Sequence, residues 1–199
     1  MSRATLTRPA RTLPALALLL GLTAVLAACG GDALQPVPAP LAKIALPAGA
    51  DLGPYDPGKP ALSRPQGLAA SRDGRVWVTL TNLDASYAVA APGMLVGAVP
   101  STGVLTKVSL GGAGGHDCTN SGAVKADGDT LFVTCTGSFS ADPSGRGVSE
   151  VTASTGAVRH LAMTDGFQPA AVAATASKLW VGDVGSARLQ KLDRAGLAL

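Results

Sequence analysis

Three segments of the sequence share one short pattern, in which an aromatic residue stands between two aliphatic residues. The pattern occurs at Val76–Val78, at Leu131–Val133 and at Leu179–Val181, with Trp77, Phe132 and Trp180 at its centre. β-Branched and aromatic residues in this arrangement favour strands. The copies recur at intervals of about 50 residues, and a recurrence of that length indicates a repeated supersecondary unit.

Each copy has similar neighbours in the same order. A strand of small residues precedes the pattern and a third strand follows it in all three copies. A fourth strand follows in the first two copies, and the third copy stops as its fourth strand begins. Asp73-Gly74 and Asp127-Gly128 join the first strand to the second in those copies, and this dipeptide is the strongest short hairpin signal. A Ser-Thr-Gly turn precedes the fourth strand at 101–103 and at 154–156. Four short antiparallel strands per repeat are typical of a β-propeller blade, and a generic β-sandwich does not require this order twice.

The sequence therefore predicts an all-β fold, namely an incomplete β-propeller of about three four-stranded blades. The blades are expected at about 64–110, 120–163 and 168–199, within a propeller domain that spans 41–199. Residues 41–46 read LAKIAL and resemble LTKVSL at 105–110, so they are predicted to be an additional N-terminal outer strand of another blade. In closed propellers such a strand completes the last blade.

Three blades and one strand do not close a ring, because propellers have about four to eight blades. We expect the chain to be a truncated piece of a longer gene product, since it stops inside a strand. The alternative is assembly with other copies, because open blade edges invite self-association.

Residues 179–193, LWVGDVGSARLQKLD, resemble an NHL-type blade, and residues 65–78 are similar. The resemblance is to the superfamily of NHL, YncE-like, SMP-30/gluconolactonase-like and virginiamycin-B-lyase-like propellers. Its motifs hold blades together and specify no reaction. We accordingly interpret Trp77, Phe132 and Trp180 as packing residues between blades.

The N-terminus has the features of an export signal. Three arginines and an uncharged apolar run over 13–28 precede Cys29. The run is shorter than the roughly 20 residues of a membrane-spanning helix and is typical of a secretory signal. Leu26–Cys29 reads LAAC and resembles the bacterial lipobox, in which the cysteine is lipidated and the signal is cut before it. An ordinary signal peptide with a chance cysteine is the alternative.

The sequence thus predicts a signal peptide over 1–28, a lipidated Cys29 and a Pro-rich tether over 29–40. The protein would be an extracytoplasmic, membrane-anchored lipoprotein on the periplasmic or cell-surface side. Loss of three arginines from the 16 basic residues would leave as many as the 13 acidic ones, so a basic patch for nucleic acid is not expected.

Cys118 and Cys135 remain after lipidation, and an even pair in an exported protein predicts a disulfide. Pairing across Asp127-Gly128 places Cys135 opposite Asn120, two residues from Cys118. Two free, buried thiols are the alternative. A zinc site is not expected, because His116 is the one nearby histidine and no CxxC motif is present.

Candidate ligand-binding residues lie at loops and strand ends. His116 and Asp117 lie in the loop between the first two blades, on the face where propellers commonly bind ligands, and the Asp could orient the His as a base. Asp183, Asn82 and Asn120 lie near equivalent strand ends. In SMP-30-like enzymes Asp and Asn ligands surround a divalent ion there, but no matching Glu is found in this sequence. Side chains that stabilise turns are the alternative.

These features predict a non-enzymatic, lipid-anchored binding or interaction module with no assigned catalytic residue, metal or cofactor. Its partners would be the membrane, through the lipid, and an unknown protein or small molecule. The alternative is a piece of a metal-dependent propeller hydrolase or lyase, which would use a divalent cation. The only glutamate is Glu150, so a catalytic pair of glutamates is excluded.

Overall fold

The computed structural model describes residues 45–46, 62–111, 118–139, 143–163 and 166–194. Within these ranges the chain is all-β, as predicted, with eleven strands in three antiparallel sheets and no helix. The described residues accordingly contain no apolar helix of membrane-spanning length.

The strands of each sheet are hydrogen-bonded in chain order. The first sheet contains β1 (Pro65–Ala70), β2 (Val76–Leu80), β3 (Met94–Ala98) and β4 (Leu105–Ser109). The second sheet contains β5 (Ser121–Asp127), β6 (Thr130–Thr136), β7 (Arg146–Thr152) and β8 (Val158–Ala162). The third sheet contains β9 (Pro169–Ala174), β10 (Lys178–Asp183) and β11 (Leu189–Asp193).

The aromatic residues of the first two repeats, Trp77 and Phe132, face the following sheet. Trp77 is fully buried in one cluster with Leu131 and Val133 of the second sheet. Phe132 is buried in a cluster with Leu179 and Val181 of the third sheet. These two residues therefore pack between blades, as predicted, because the aliphatic residues beside each aromatic point to the opposite face of the strand.

The first strands of the three sheets lie next to one another, since β1 contacts β5 and β5 contacts β9. The approach of β1 to β5 is close: a Cβ on Gly67 would lie 2.5 Å from the carbonyl oxygen of Gly122. Thr136 continues the connection by donating its hydroxyl to the Pro169 carbonyl of β9 at 2.8 Å. Successive sheets that meet face to face along their first strands form an incomplete β-propeller.

The hairpin between β5 and β6 differs from the predicted register. Asp127 pairs with Thr130, so the turn residues are Gly128 and Asp129 rather than Asp127 and Gly128. Gly128 has a φ of +63° at the first turn position, which glycine adopts without steric cost. This later turn alone would bring Cys135 opposite Gly122, and a bulge farther along β5 moves the pairing back by one position, so Cys135 lies opposite Ser121 rather than the predicted Asn120.

Cys118 and Cys135 form a disulfide despite this shift, with their Cα atoms 5.2 Å apart. Both are fully buried in the cluster between the first two sheets. The bond ties the segment before β5 to β6.

Several predictions concern residues outside the described ranges. These are the signal peptide, Cys29, the tether and most of the predicted strand at 41–46. Ala45 and Leu46 are described and are not in a strand, and Leu46 packs against the buried Val78 cluster of the first sheet. The assignment of that segment to another blade, and the division of the chain into domains, stay predictions.

Candidate functional site

The first strands of the three sheets line a concavity of about 550 Å³. Its floor is formed by Gln66 of β1, Gly122 and Ala123 of β5, and Ala170 of β9. The short side chains of Gly122, Ala123 and Ala170 leave the space open. Clefts of this size fall within the range of small-molecule sites.

One exposed apolar side chain from each sheet stands at the rim of this concavity. Tyr87 follows β2, Phe139 follows β6 and Val184 follows β10, so the three come from corresponding loops. Their exposed fractions are 60%, 65% and 63%. Exposed apolar side chains that converge on one cleft are typical of ligand-binding surfaces.

Arg64 and Tyr87 form a stacked pair in the lining. The guanidinium carbon of Arg64 lies 3.9 Å from the centroid of the Tyr87 ring, within the range of a cation–π contact. Arg64 Nη2 donates to the Asp84 carbonyl oxygen at 3.2 Å. The Asp84 carboxylate in turn accepts from the backbone of Ser86 at 2.8 Å and of Ala88 at 2.9 Å, which holds the Tyr87 loop.

Backbone strain accompanies the stacked pair. Arg64 has a φ of 35° and Tyr87 a φ of 65°, values that are uncommon for bulky residues. Asn82 at 54° and Asn120 at 53° lie in the same left-handed region, which asparagine tolerates better. Strained backbone is concentrated at functional sites in proteins, and three of these four residues line the concavity.

Two buried polar atoms of the lining have no hydrogen-bond partner in the described part of the chain. They are the hydroxyl of Thr81, a residue 2% exposed, and Nε of Arg64. Buried polar atoms without a partner are rare and call for an explanation.

Of the predicted ligand-binding candidates, Asn120 and Asn82 lie at or beside the lining of the concavity. Asn120 lines the concavity and donates from Nδ2 to the Gly137 carbonyl at 3.3 Å. Asn82 is fully buried beside Thr81, and its Nδ2 donates to the Pro92 carbonyl at 2.6 Å. His116 and Asp117 lie outside the described residues. Both asparagines are buried, and their side-chain amides hold the loops through these hydrogen bonds.

Asp183 stabilises the turn between β10 and β11. Its carboxylate accepts from the backbone N–H of Gln168 at 3.0 Å and of Gly185 at 2.8 Å, and also from Ser186 and Arg188. Burial raises the pKa of Asp183, but these hydrogen bonds outweigh it and lower the pKa to about 2. The geometry is that of a turn-stabilising aspartate.

Sequence reasoning did not single out Arg64, Tyr87 or Phe139. They lie in loops, where no periodic pattern marks them. The one available signal was the presence of an arginine or an aromatic residue in a segment between predicted strands. It also missed Ser149, whose hydroxyl lies 3.0 Å from Nδ1 of His160. Ser149 is fully buried, 3.5 Å from the sulfur of Cys135, and belongs to the core rather than to the concavity.

In the described ranges no three His, Cys, Asp or Glu side chains are grouped as ligands for a metal ion. No protein-family model and no curated protein matches the sequence. One solved structure that is similar is a catalytically inactive virginiamycin B lyase from Staphylococcus aureus with quinupristin. It has a TM-score of 0.44 and 13% identity over 68% of this chain and 44% of that chain. The present chain thus spans less than half the length of that structure.

Proposed function

We propose that this chain is a lipid-anchored, extracytoplasmic propeller module that binds a small molecule in the concavity lined by β1, β5 and β9. The observation that carries the proposal is the convergence of Tyr87, Phe139 and Val184, one exposed apolar side chain from each of three corresponding loops. Leaving such side chains in water has no structural advantage, whereas a ligand would cover them.

The lipid anchor rests on the sequence Leu26–Cys29 and on the basic, apolar segment before it. A diacylated cysteine carries two chains, which suffice for stable anchoring where one would be marginal. The Cys118–Cys135 disulfide supports export, because disulfides persist in oxidising compartments.

Anchoring is tested with Cys29→Ala in the full chain, expressed in a bacterium with its own signal. We expect the variant to lose labelling by radioactive palmitate and to leave the membrane fraction. The double variant Cys118→Ala/Cys135→Ala is the control, and it should be labelled normally. Unchanged cleavage and membrane partitioning of Cys29→Ala would overturn the anchor.

Binding is tested by saturation-transfer NMR on the purified full chain. The probes are three ring compounds of similar size, namely phenylacetate, 2-phenylethanol and phenethylamine. At least one should bind, and Val184→Ala and Phe139→Ala should weaken its binding because they remove rim surface. Val104→Ala is the matched control, since Val104 is 59% exposed and lies outside the lining. No binding of any probe, or an equal effect of Val104→Ala, would refute the proposed site.

A further inference from the structure

The charge of the concavity comes from one residue. Among the described residues that line it, Arg64 alone is charged, and the others are polar or apolar. The Asp84 carboxylate does not line the concavity and accepts hydrogen bonds from the backbone N–H groups of Ser86 and Ala88 in its own turn. The charged group that the described lining offers to a ligand is thus a guanidinium, which favours an anion.

The stacking of Arg64 determines how an anion would meet it. A guanidinium that lies flat on an aromatic ring directs its N–H groups outward in the plane of the group. Among the described residues the single hydrogen-bond acceptor of Arg64 is the Asp84 carbonyl, which takes one donor at 3.2 Å. A guanidinium has five donors, and since Nε of Arg64 is buried, the remaining donors of the two terminal nitrogens are left for a ligand.

The surface around Arg64 is apolar and aromatic. The Tyr87 ring is in contact with the guanidinium, and Phe139 and Val184 are exposed on the same concavity. The Thr81 hydroxyl adds a buried polar atom without a described partner. A ligand that contacts both the guanidinium and these apolar side chains must carry an acidic group and an apolar ring.

We infer that the concavity binds an organic carboxylate that carries an aromatic or apolar ring, with the carboxylate on Arg64 and the ring between Tyr87 and Phe139. This inference rests on the proposed binding function and names its ligand class. A carboxylate fits because its two oxygens match the planar donor fork of arginine. A cationic ligand would be repelled, and a neutral ring would leave the donors of Arg64 without a partner.

The first test compares the three ring compounds on the unaltered full chain. Phenylacetate should bind about tenfold more tightly than its neutral counterpart 2-phenylethanol, the ratio expected for a charge-assisted hydrogen bond that is partly exposed. Phenethylamine should bind most weakly, and acetate, which lacks the ring, should not bind measurably. The preference for phenylacetate should decrease as sodium chloride is raised, because salt screens exposed charges.

The second test removes the charge. Arg64→Gln should reduce the affinity for phenylacetate about tenfold, to that of 2-phenylethanol, and should leave 2-phenylethanol unaffected. Arg72→Gln is the matched control, because Arg72 is exposed in the turn between β1 and β2 and does not line the concavity. It should leave both affinities unchanged. Circular dichroism of each variant verifies that it is folded.

The outcomes separate this inference from the proposed function. If 2-phenylethanol or phenethylamine binds as tightly as phenylacetate, the ligand class is wrong while the binding site stands. If Arg64→Gln binds phenylacetate like the unaltered protein, the assignment to Arg64 is wrong. If no compound binds, both the inference and the proposed function fail.

Discussion

Thr79 connects the first two sheets, and its replacement by valine tests the packing that forms the floor of the concavity. The Thr79 hydroxyl donates to the Gly122 carbonyl of β5 at 2.5 Å and accepts from the Gly67 N–H of β1 at 2.8 Å. The pairing of β1 with β2 is interrupted by a register shift between Pro65 and Leu68, and the Gly67 N–H in this stretch is bonded by the Thr79 side chain. Thr79 itself is fully buried.

Thr79→Val keeps the shape of the side chain and removes both hydrogen bonds. The N–H of Gly67 and the carbonyl of Gly122 then lose a partner, and each such loss costs about 1–3 kcal/mol when the group is buried. Both glycines are only half-buried. We therefore expect the free energy of unfolding to decrease by about 2–3 kcal/mol, the lower part of the summed range.

Thr134→Val is the matched control, because Thr134 occupies the corresponding position of the second repeat and is equally buried. Its hydroxyl makes one long hydrogen bond, to the Ala123 carbonyl at 3.4 Å. This substitution should cost about 1 kcal/mol or less. Urea unfolding followed by circular dichroism measures both values, and the dependence on urea should be the same in both variants. A loss for Thr79→Val no greater than that for Thr134→Val would refute the reasoning.

Three further predictions concern the core and one turn. Trp77→Ala should lower the free energy of unfolding by about 3–5 kcal/mol. Trp180→Ala should lower it by less than half as much, because Trp180 is only half-buried. Equal decreases for the two variants in urea unfolding would contradict the packing of Trp77 between blades. Reduction of the Cys118–Cys135 bond should cost about 3 kcal/mol, whereas alkylation of both thiols without reduction would show that the bond is absent. The pKa of Asp183 is lowered from 3.8 to about 2. At any pH above the pKa of the unfolded chain, its carboxylate therefore stabilises the fold by about 2 kcal/mol. This contribution is lost as the pH falls through about 2. Asp183→Asn should thus be less stable than the parent at neutral pH, and most of this difference should have disappeared at pH 2; a difference independent of pH would contradict the assignment.

The strands and their order could be predicted because their signals are local. The alternation around Trp77 and Phe132 places aromatic and aliphatic residues on opposite faces, and both residues are buried between sheets as expected. Gly74 and Gly128 have φ values of 83° and 63°, which explains why each marks a hairpin. The disulfide was also predictable, since export and an even number of cysteines suffice to suggest it.

The details of pairing could not be predicted. The hairpin turn lies one residue later than predicted, which alone would bring Cys135 opposite Gly122, and a bulge between Ser121 and Val124 then moves the pairing back by one position, to Ser121. Such a bulge depends on how β5 meets the neighbouring sheet, where Ser121 donates to the Leu80 carbonyl at 2.8 Å. That contact joins residues far apart in the chain, so no local pattern indicates it.

The sequence by itself thus determined the all-β class, the repeat and the cysteine pair, because periodicity and turn chemistry act within a few residues. The tertiary structure decided where the candidate site lies. It brings the loops of Tyr87, Phe139 and Val184 to one concavity, stacks Arg64 on Tyr87, and keeps Asp183 in its own turn. The physical reason is that loop side chains meet through the packing of whole sheets, which depends on contacts between distant residues.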